Sequence, residues 1–325
     1  MKVVYLIPGK NDPNNMIFAK RQIEKLNALG VEVKTFYLES KSPFYLLKRR
    51  TEINKDIANF KPHIIHCQYG SWNAFFSLLI SPSSPHIITL QGSDINYTPT
   101  DGFLKDLFAR LSTHIATYFS DYIICVSSRL QDKLKFNSHN SQVVPNGINL
   151  EKFSMVTKND ARKLLGWDLS EKIILFNANN PKIKRLDIAL EVEKLLLKNN
   201  PNIRLEILNG KIDPNRINFM LNASDCLLVC SNSEGSPTIV KEALACNLPI
   251  ISNDVGDVSE RLQGVFPSKI VQQNKYELAI AIEEILNLGI RSNSRIEILN
   301  QEIDDDNISY KIKKIYEKLM NETHT

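Results

Sequence analysis

The chain has 325 residues, long for one core and suited to two domains. Its 43 % hydrophobic and 23 % charged residues match a soluble globular protein and exclude a disordered or fibrous chain. The formal charge of +4 is uneven: residues 1–150 carry 17 Lys and Arg against 11 Asp and Glu, and the remainder carries 23 against 25. A basic first half fits an anionic membrane or an anionic acceptor, and it fits ordinary surface scatter equally well. No pattern points to nucleic acid.

Val3–Ile7 is an apolar run closed by Pro8-Gly9, which reads as a first strand and turn and not as a secretion signal. Helical periodicity follows from about Met16 to Leu29, with Gly30 placed as a C-cap. Strands are expected at Val31–Tyr37, Ile64–Cys67, His86–Leu90 and Tyr122–Val126, with helices filling the gaps. Residues 43–50, Pro-Phe-Tyr-Leu-Leu-Lys-Arg-Arg, suit an amphipathic helix packed on the sheet; an interfacial helix on anionic lipid is the weaker reading. Trp72–Ile80 is the longest apolar helix candidate and falls far short of the ~20 residues of a membrane span. The expected location is the cytoplasm, with peripheral contact at the inner membrane face left open.

Pro145-Asn146-Gly147-Ile148 marks a turn, so a boundary is expected near residue 150. A second set of elements begins at Lys172–Phe176, with a helix from about Lys184 to Lys198. Strands follow at Ile203–Leu208, Cys226–Cys230, Ile250–Ser252 and Lys269–Val271, then helices from Lys275 onward and over Asn307–Met320. Alternating strands and helices imply parallel sheets with right-handed crossovers. Asp304-Asp305-Asp306 reads as a solvated linker and not as a metal site. The five cysteines lie mostly in apolar runs and form no Cys-x-x-Cys pair, which suits buried thiols and argues against zinc. No Gly-x-Gly-x-x-Gly is present, which argues against an NAD enzyme.

The most informative stretch is 233–252, Ser-Glu-Gly-Ser-Pro-Thr-Ile-Val-Lys-Glu-Ala-Leu-Ala-Cys-Asn-Leu-Pro-Ile-Ile-Ser. A buried strand runs into a polar turn, Ser231–Ser236; Pro237 suits a first helical turn, and the helix ends near Asn247. Glu234 then stands in a loop at the carboxyl end of a strand, the rim where open α/β sheets bind ligands. Glu242 stands about two turns inside the helix. The amides of Thr238, Ile239 and Val240 lack intrahelical acceptors and suit an anion such as a diphosphate. A loop carboxylate at Glu234 can accept hydrogen bonds from sugar hydroxyls, and Glu242 can clamp a ribose diol. The plain alternative is a solvated loop residue and an ordinary helix-face glutamate. Gly235, Ser236 and Pro237 fit the same binding unit.

This Glu-x7-Glu spacing, continued through Ala243-Leu244-Ala245-Cys246-Asn247-Leu248-Pro249 into Asp254-Val255-Gly256, resembles the donor-site signature of the retaining glycosyltransferases of family 4. Weaker echoes cover most of the chain. The resemblance implies an α/β protein of the GT-B class, with two Rossmann-like parallel-sheet domains facing across a cleft that holds the active site. Residues 1–150 would bind the acceptor, 151–305 the donor, and 306–325 would form a helix returning to the first domain. The co-substrate implied is a nucleotide-diphosphate sugar, with no metal or other cofactor. The acceptor implied is a glycan, in the lipid-linked form used in assembling bacterial surface polysaccharides such as capsule or teichuronic acid.

The resemblance also assigns single residues. Lys184 aligns with a lysine that pairs with the diphosphate. Arg185 stands where glycine is usual and is read as a further donor contact, while Asn179 stands where a second phosphate-binding arginine is common. Gly9 falls in the loop beside the transferred sugar. Gln91 stands where histidine is frequent, and it can hydrogen-bond a sugar hydroxyl but transfers no proton. Glu234, Lys184 and Gln91 are therefore the expected catalytic set. His66 matches a cleft-edge histidine, and Asp94 is a loop cap or an acceptor contact. Two other functions stay open: a non-catalytic nucleotide-sugar-binding subunit, suggested by Gln91 and Asn179, and a nucleotide-sugar epimerase of the same architecture.

Overall fold

The computed structural model describes residues 1–12, 15–40, 42–81, 83–97 and 102–322. The chain divides into two compact units, Met1–Gly147 with Asp304–Thr325, and Ile148–Ile303.

Unit 1 begins with β1 (Lys2–Pro8), α1 (Ile17–Ala28), β2 (Glu32–Leu38), α2 (Pro43–Ala58) and β3 (Ile64–Gln68). It continues with α3 (Ser71–Ser77), β4 (His86–Leu90), α4 (Phe103–Phe119), β5 (Tyr122–Cys125), α5 (Ser128–Gln131) and β6 (Ser141–Val143). The strands form one sheet in the order β2-β1-β3-β4-β5-β6, and every pairing is parallel. β3, β4 and β5 are buried along their whole length, which explains why apolar residues dominate them, with His66, Gln68, His86 and Thr89 buried among those. One sheet face packs against α2, α3, α4 and α5 through Ile53, Phe76, Ala116 and Leu130. α1 ends in a Schellman motif: Gly30 adopts φ +80°, its amide reaches the Asn27 carbonyl, and the Val31 amide reaches Leu26.

β6 has no counterpart in the sequence reading. It is a three-residue edge strand, Ser-Gln-Val, too short and too polar to show the apolar run of its neighbours.

Unit 2 contains α6 (Lys158–Leu165), β7 (Lys172–Asn177), α7 (Pro181–Lys184), α8 (Leu186–Leu196), β8 (Ile203–Leu208) and α9 (Ile217–Ala223). Then come β9 (Cys226–Val229), α10 (Thr238–Ala245), β10 (Ile250–Ser252), α11 (Val258–Arg261), β11 (Lys269–Ile270), α12 (Lys275–Leu288) and α13 (Ser294–Asn300). Its sheet is also parallel, ordered β11-β10-β9-β7-β8. The helix expected from Lys184 to Lys198 is broken, because Arg185 sits in the left-handed region at φ 60° and separates α7 from α8.

The chain closes with α14 (Asp305–Glu322) in unit 1. The solvated linker expected at Asp304–Asp306 is corrected here. Asp304 caps α14 through the Asn307 amide, and Asp305 is buried against Arg21 of α1 at 2.9 Å. Arg21 also donates to the Gly147 carbonyl, so one guanidinium ties α1, the end of the first segment and the start of α14 together. Burial raises the Asp305 carboxyl above its ordinary value, and Arg21 works against that rise.

Candidate donor site

In each sheet the strand order reverses at one place, and the carboxyl ends of the strands there open a crevice that suits a ligand. In unit 2 that place lies between β7 and β9. The segment after β7 carries Lys184, and the segment after β9 carries Glu234. The structure brings these two side chains together: Lys184 Nζ donates to Glu234 Oε1. Both are largely buried, at 17 % and 11 % exposed. Three further contacts hold the segments in register. The Asn232 amide donates to the Ile183 carbonyl at 2.8 Å, and Cys230 Sγ lies 3.4 Å from the carbonyls of Lys184 and Arg185.

α10 starts directly after this loop, with Pro237 at its N-cap in extended conformation. It is a short helix that stops when Asn247 takes φ 53° and the Leu248 amide turns back to the Ala243 carbonyl. Glu242 sits in its second turn and is half-buried, slightly nearer the helix start than the sequence suggested. Of the three amides expected to face an anion, Val240 is bonded to the Pro237 carbonyl at 3.2 Å. Thr238 and Ile239 occupy the first turn of α10, where helix amides lack an intrahelical acceptor.

Two expected donor contacts have other partners. Ser236 is buried, its hydroxyl donating to Asp257 Oδ2 at 2.7 Å and accepting from Lys241 Nζ at 3.0 Å. Arg185 forms a forked ion pair with Asp187 and donates to Asn232 Oδ1. The Asp187 carboxylate holds the guanidinium above its ordinary pKa.

The supporting layer escaped the sequence reading. Asp257 also accepts from Arg261 Nε at 2.9 Å, so Lys241, Ser236, Asp257 and Arg261 form a buried chain beneath the loop. Gly256 lies against the loop so closely that a Cβ there would sit 2.8 Å from the Gly235 carbonyl and 3.0 Å from Glu234 Cβ. Its φ of +57° disfavours a side chain as well. The signal was present, since Gly256 closes the quoted motif, but spacing alone does not show what a glycine touches.

In unit 1 the reversal falls between β1 and β3. Gly9 follows β1 with φ +87°, its amide bonded to the Leu38 carbonyl, and a Cβ there would lie 2.9 Å from Asn15 Nδ2. The turn and its packing therefore account for this glycine. His66 is fully buried and is corrected as an acceptor contact: Nδ1 meets the Tyr316 hydroxyl at 2.6 Å and Nε2 meets Thr89 Oγ1 at 2.7 Å. Burial pushes its pKa down to about 3, so the ring is neutral at ordinary pH. Asp94 takes the loop-cap role, one of its two readings from the sequence. It is buried and accepts from the amides of Gly70, Gln91 and Gly92, so it clamps the loops after β3 and β4. Burial raises its pKa, and those amides oppose the rise.

Gln91 ends a continuous hydrogen-bonded chain. Its amide exchanges bonds with Asn146 and donates to Gln68 at 3.2 Å; Gln68 donates to Gln22, which accepts from Tyr5, which meets Tyr316. The carboxamide is thus oriented by partners reaching back to α14. Among the described residues no three His, Cys, Asp or Glu side chains gather as a metal-binding group. No described helix is long and apolar enough to cross a membrane.

A model of Glycosyltransferase Family 4 matches residues 13–152, and one of Glycosyl transferases group 1 matches residues 207–300, which span the whole donor segment. Over these two segments the chain is similar to glycosyltransferases of family 4. A putative teichuronic acid biosynthesis glycosyltransferase, TuaC of Bacillus subtilis, is 28 % identical over 216 residues, covering 61 % of this chain and 54 % of that one. The chain therefore spans little more than half the length of this relative. Among solved structures, sucrose-phosphate synthase from Thermosynechococcus elongatus has a TM-score of 0.78 at 17 % identity, covering 99 % of this chain and 100 % of that one. Anabaena Alr3699/HepE, solved in complex with UDP-glucose, has a TM-score of 0.72 at 15 % identity, with 98 % and 100 % covered. These likenesses establish the GT-B fold class, two Rossmann-like units each with a parallel sheet.

Proposed function

We propose that the protein is a retaining glycosyltransferase that moves a sugar from a nucleotide-diphosphate sugar to a lipid-linked glycan in surface-polysaccharide assembly. The observation that carries this reading is the Lys184–Glu234 contact at the sheet reversal of unit 2, directly before the N-terminus of α10. A diphosphate bound at the amides of Thr238 and Ile239 draws the Lys184 ammonium to itself. Glu234, released from the lysine, accepts hydrogen bonds from the sugar, and Glu242 takes the ribose diol. In the transfer the C1–O bond to phosphate breaks and a C1–O bond to the acceptor forms on the same face. The acceptor's proton passes to the departing phosphate oxygen. Lys184 and the helix terminus supply the positive charge, so the scheme uses no metal. The bound UDP-glucose of the HepE neighbour makes UDP-sugars the first donors to try. A lipid-linked acceptor places the protein against the membrane surface.

Donor binding without transfer is the second reading, favoured by Gln91, whose carboxamide carries no transferable proton. One assay separates the two: release of nucleotide from UDP-, GDP- and ADP-sugars with extracted lipid acceptors, for the wild type and Glu242→Ala. Release from one donor, lost in the variant, supports transfer. Binding without release supports the second reading, and conversion of donor without acceptor indicates an epimerase.

A further inference from the structure

α4 is built inside out. The side it turns to unit 1 carries Asp106, Ser112, Thr113, Ala116 and Thr117. The side it turns outward carries Leu104, Phe108, Leu111, Ile115, Tyr118 and Phe119, each between 45 % and 66 % exposed. Their spacing follows the helical period, so they form one stripe. The buried polar groups have internal reasons to be there: Thr113 Oγ1 donates to the Asp94 carbonyl and accepts from the Ser71 amide, and Asp106 holds Arg110 at 2.7 Å. Among the described residues of unit 1, no such hydrogen-bonding reason accounts for the apolar stripe.

The same helical layer exposes more apolar surface. Phe44 of α2 is 88 % exposed, and Leu47, Trp72, Phe75 and Leu79 are exposed on α2, α3 and the turn after it. Leu47, Trp72, Phe75 and Leu79 line a groove between α2 and α3 with Arg50 at its edge. Scattered apolar residues need no explanation, whereas a stripe and a groove in one layer mark an interaction surface.

Charge identifies the occupant. Lys105 is exposed on α4 itself, and burial, with the charges of Lys135 and Arg110 adding to it, lowers the pKa of His114 of α4. Phe136, next to Lys135, packs edge-on to Tyr118 at 5.5 Å. α2 adds Lys48, Arg49 and Arg50. Among nearby acids, Asp106 is buried and Glu52 is paired with Arg49, while Asp56 and Asp132 are exposed. An apolar stripe rimmed by cations is the chemistry of a helix lying in an anionic bilayer interface. A two-fold dimer through the same face would set these cations against their own copies.

We propose that the outer face of α2, α3 and α4, centred on the α4 stripe, docks unit 1 on an anionic lipid surface. This deepens the lipid-linked acceptor reading and rests on it for its purpose, while its evidence is separate. The sequence pointed only to residues 43–50, because the α4 stripe looks like an ordinary core face until burial is known.

The test is flotation of the full chain with vesicles of phosphatidylcholine alone and of phosphatidylcholine with phosphatidylglycerol in equal parts. Wild type is expected to float with the anionic vesicles and to release in high salt. Phe108→Glu/Leu111→Glu and Lys105→Glu/Lys135→Glu are each expected to bind about tenfold less, with unchanged unfolding midpoints. Absence of wild-type binding, or binding by both variants as strong as that of wild type, overturns the proposal. A wild-type dimer that Phe108→Glu/Leu111→Glu makes monomeric, without vesicle binding, overturns it in favour of a second copy. The assay contains no nucleotide sugar, so docking and the transferase reading fail independently.

Discussion

Lys184 and Glu234 are too dry for either charge to lose its partner freely. Truncating one leaves the other partly buried and uncompensated. Each single change to alanine is expected to lower the stability of unit 2 by about 1–3 kcal/mol, and the double change by less than the sum, as a urea-unfolding double-mutant cycle would show. Additive effects would mean that the contact contributes nothing. Gly256 makes a second residue-scale prediction. Gly256→Ala meets the Gly235 carbonyl and Glu234 Cβ, so it is expected to weaken donor binding about tenfold or more with little change elsewhere. Donor affinity equal to wild type would show that the loop yields. His66 gives a pH prediction. Its folded pKa is near 3 and its unfolded value near 6.5, so below about pH 6.5 the unfolded state takes up a proton that the folded state refuses. The stability of wild type relative to His66→Gln should therefore fall as pH drops from about 6.5 towards 3. A flat difference across that window would contradict a buried neutral imidazole. Asp94 and Asp305, whose pKa values are raised, act in the opposite sense at lower pH.

At the scale of elements, the joint between α7 and α8 shows why glycine suits position 185. Arg185 holds φ 60°, which strains a side chain that glycine would lack. Its ion pair with the exposed Asp187 offsets only part of that strain. Arg185→Gly is expected to stabilise unit 2 by up to about 1 kcal/mol in denaturant titrations and to leave donor affinity within about twofold. A large loss of donor affinity would restore Arg185 as a donor contact. The same joint marks the limit of sequence reading. Periodicity carried the helix from Lys184 onward but could not show a one-residue break at the left-handed Arg185, beside which the Ile183 carbonyl accepts from the Asn232 amide. Buried strands such as β3, β4 and β9 were legible because every position is buried and apolar residues dominate them. The surroundings of His66 were not legible, because the sequence that names a residue does not name its partners: Tyr316 stands 250 positions from His66. α14 depends on one small residue. A Cβ at Gly147 would lie 2.5 Å from Asp305 Oδ1 and 2.9 Å from its Cα. Gly147→Ala is expected to destabilise unit 1 by about 1–3 kcal/mol, seen as a lower unfolding midpoint.

At the scale of the whole molecule, the two units divide the chemistry. Unit 2 holds the ion pair, the short helix and the buried chain beneath the loop. Unit 1 holds the oriented Gln91, the apolar layer and most of the positive balance. The sequence separated these roles because the Glu-x7-Glu segment lies in one half and the basic excess in the other. The central claim is that the reversal of the second sheet is built for a nucleotide diphosphate. Its most direct test is a calorimetric titration of the full chain with UDP, GDP and ADP, repeated on Lys184→Ala and Glu242→Ala. One nucleotide is expected to bind, with affinity falling roughly 10- to 100-fold in each variant, the value of a lost charge-assisted contact. No binding by any of the three, or binding that both variants retain in full, would contradict the assignment.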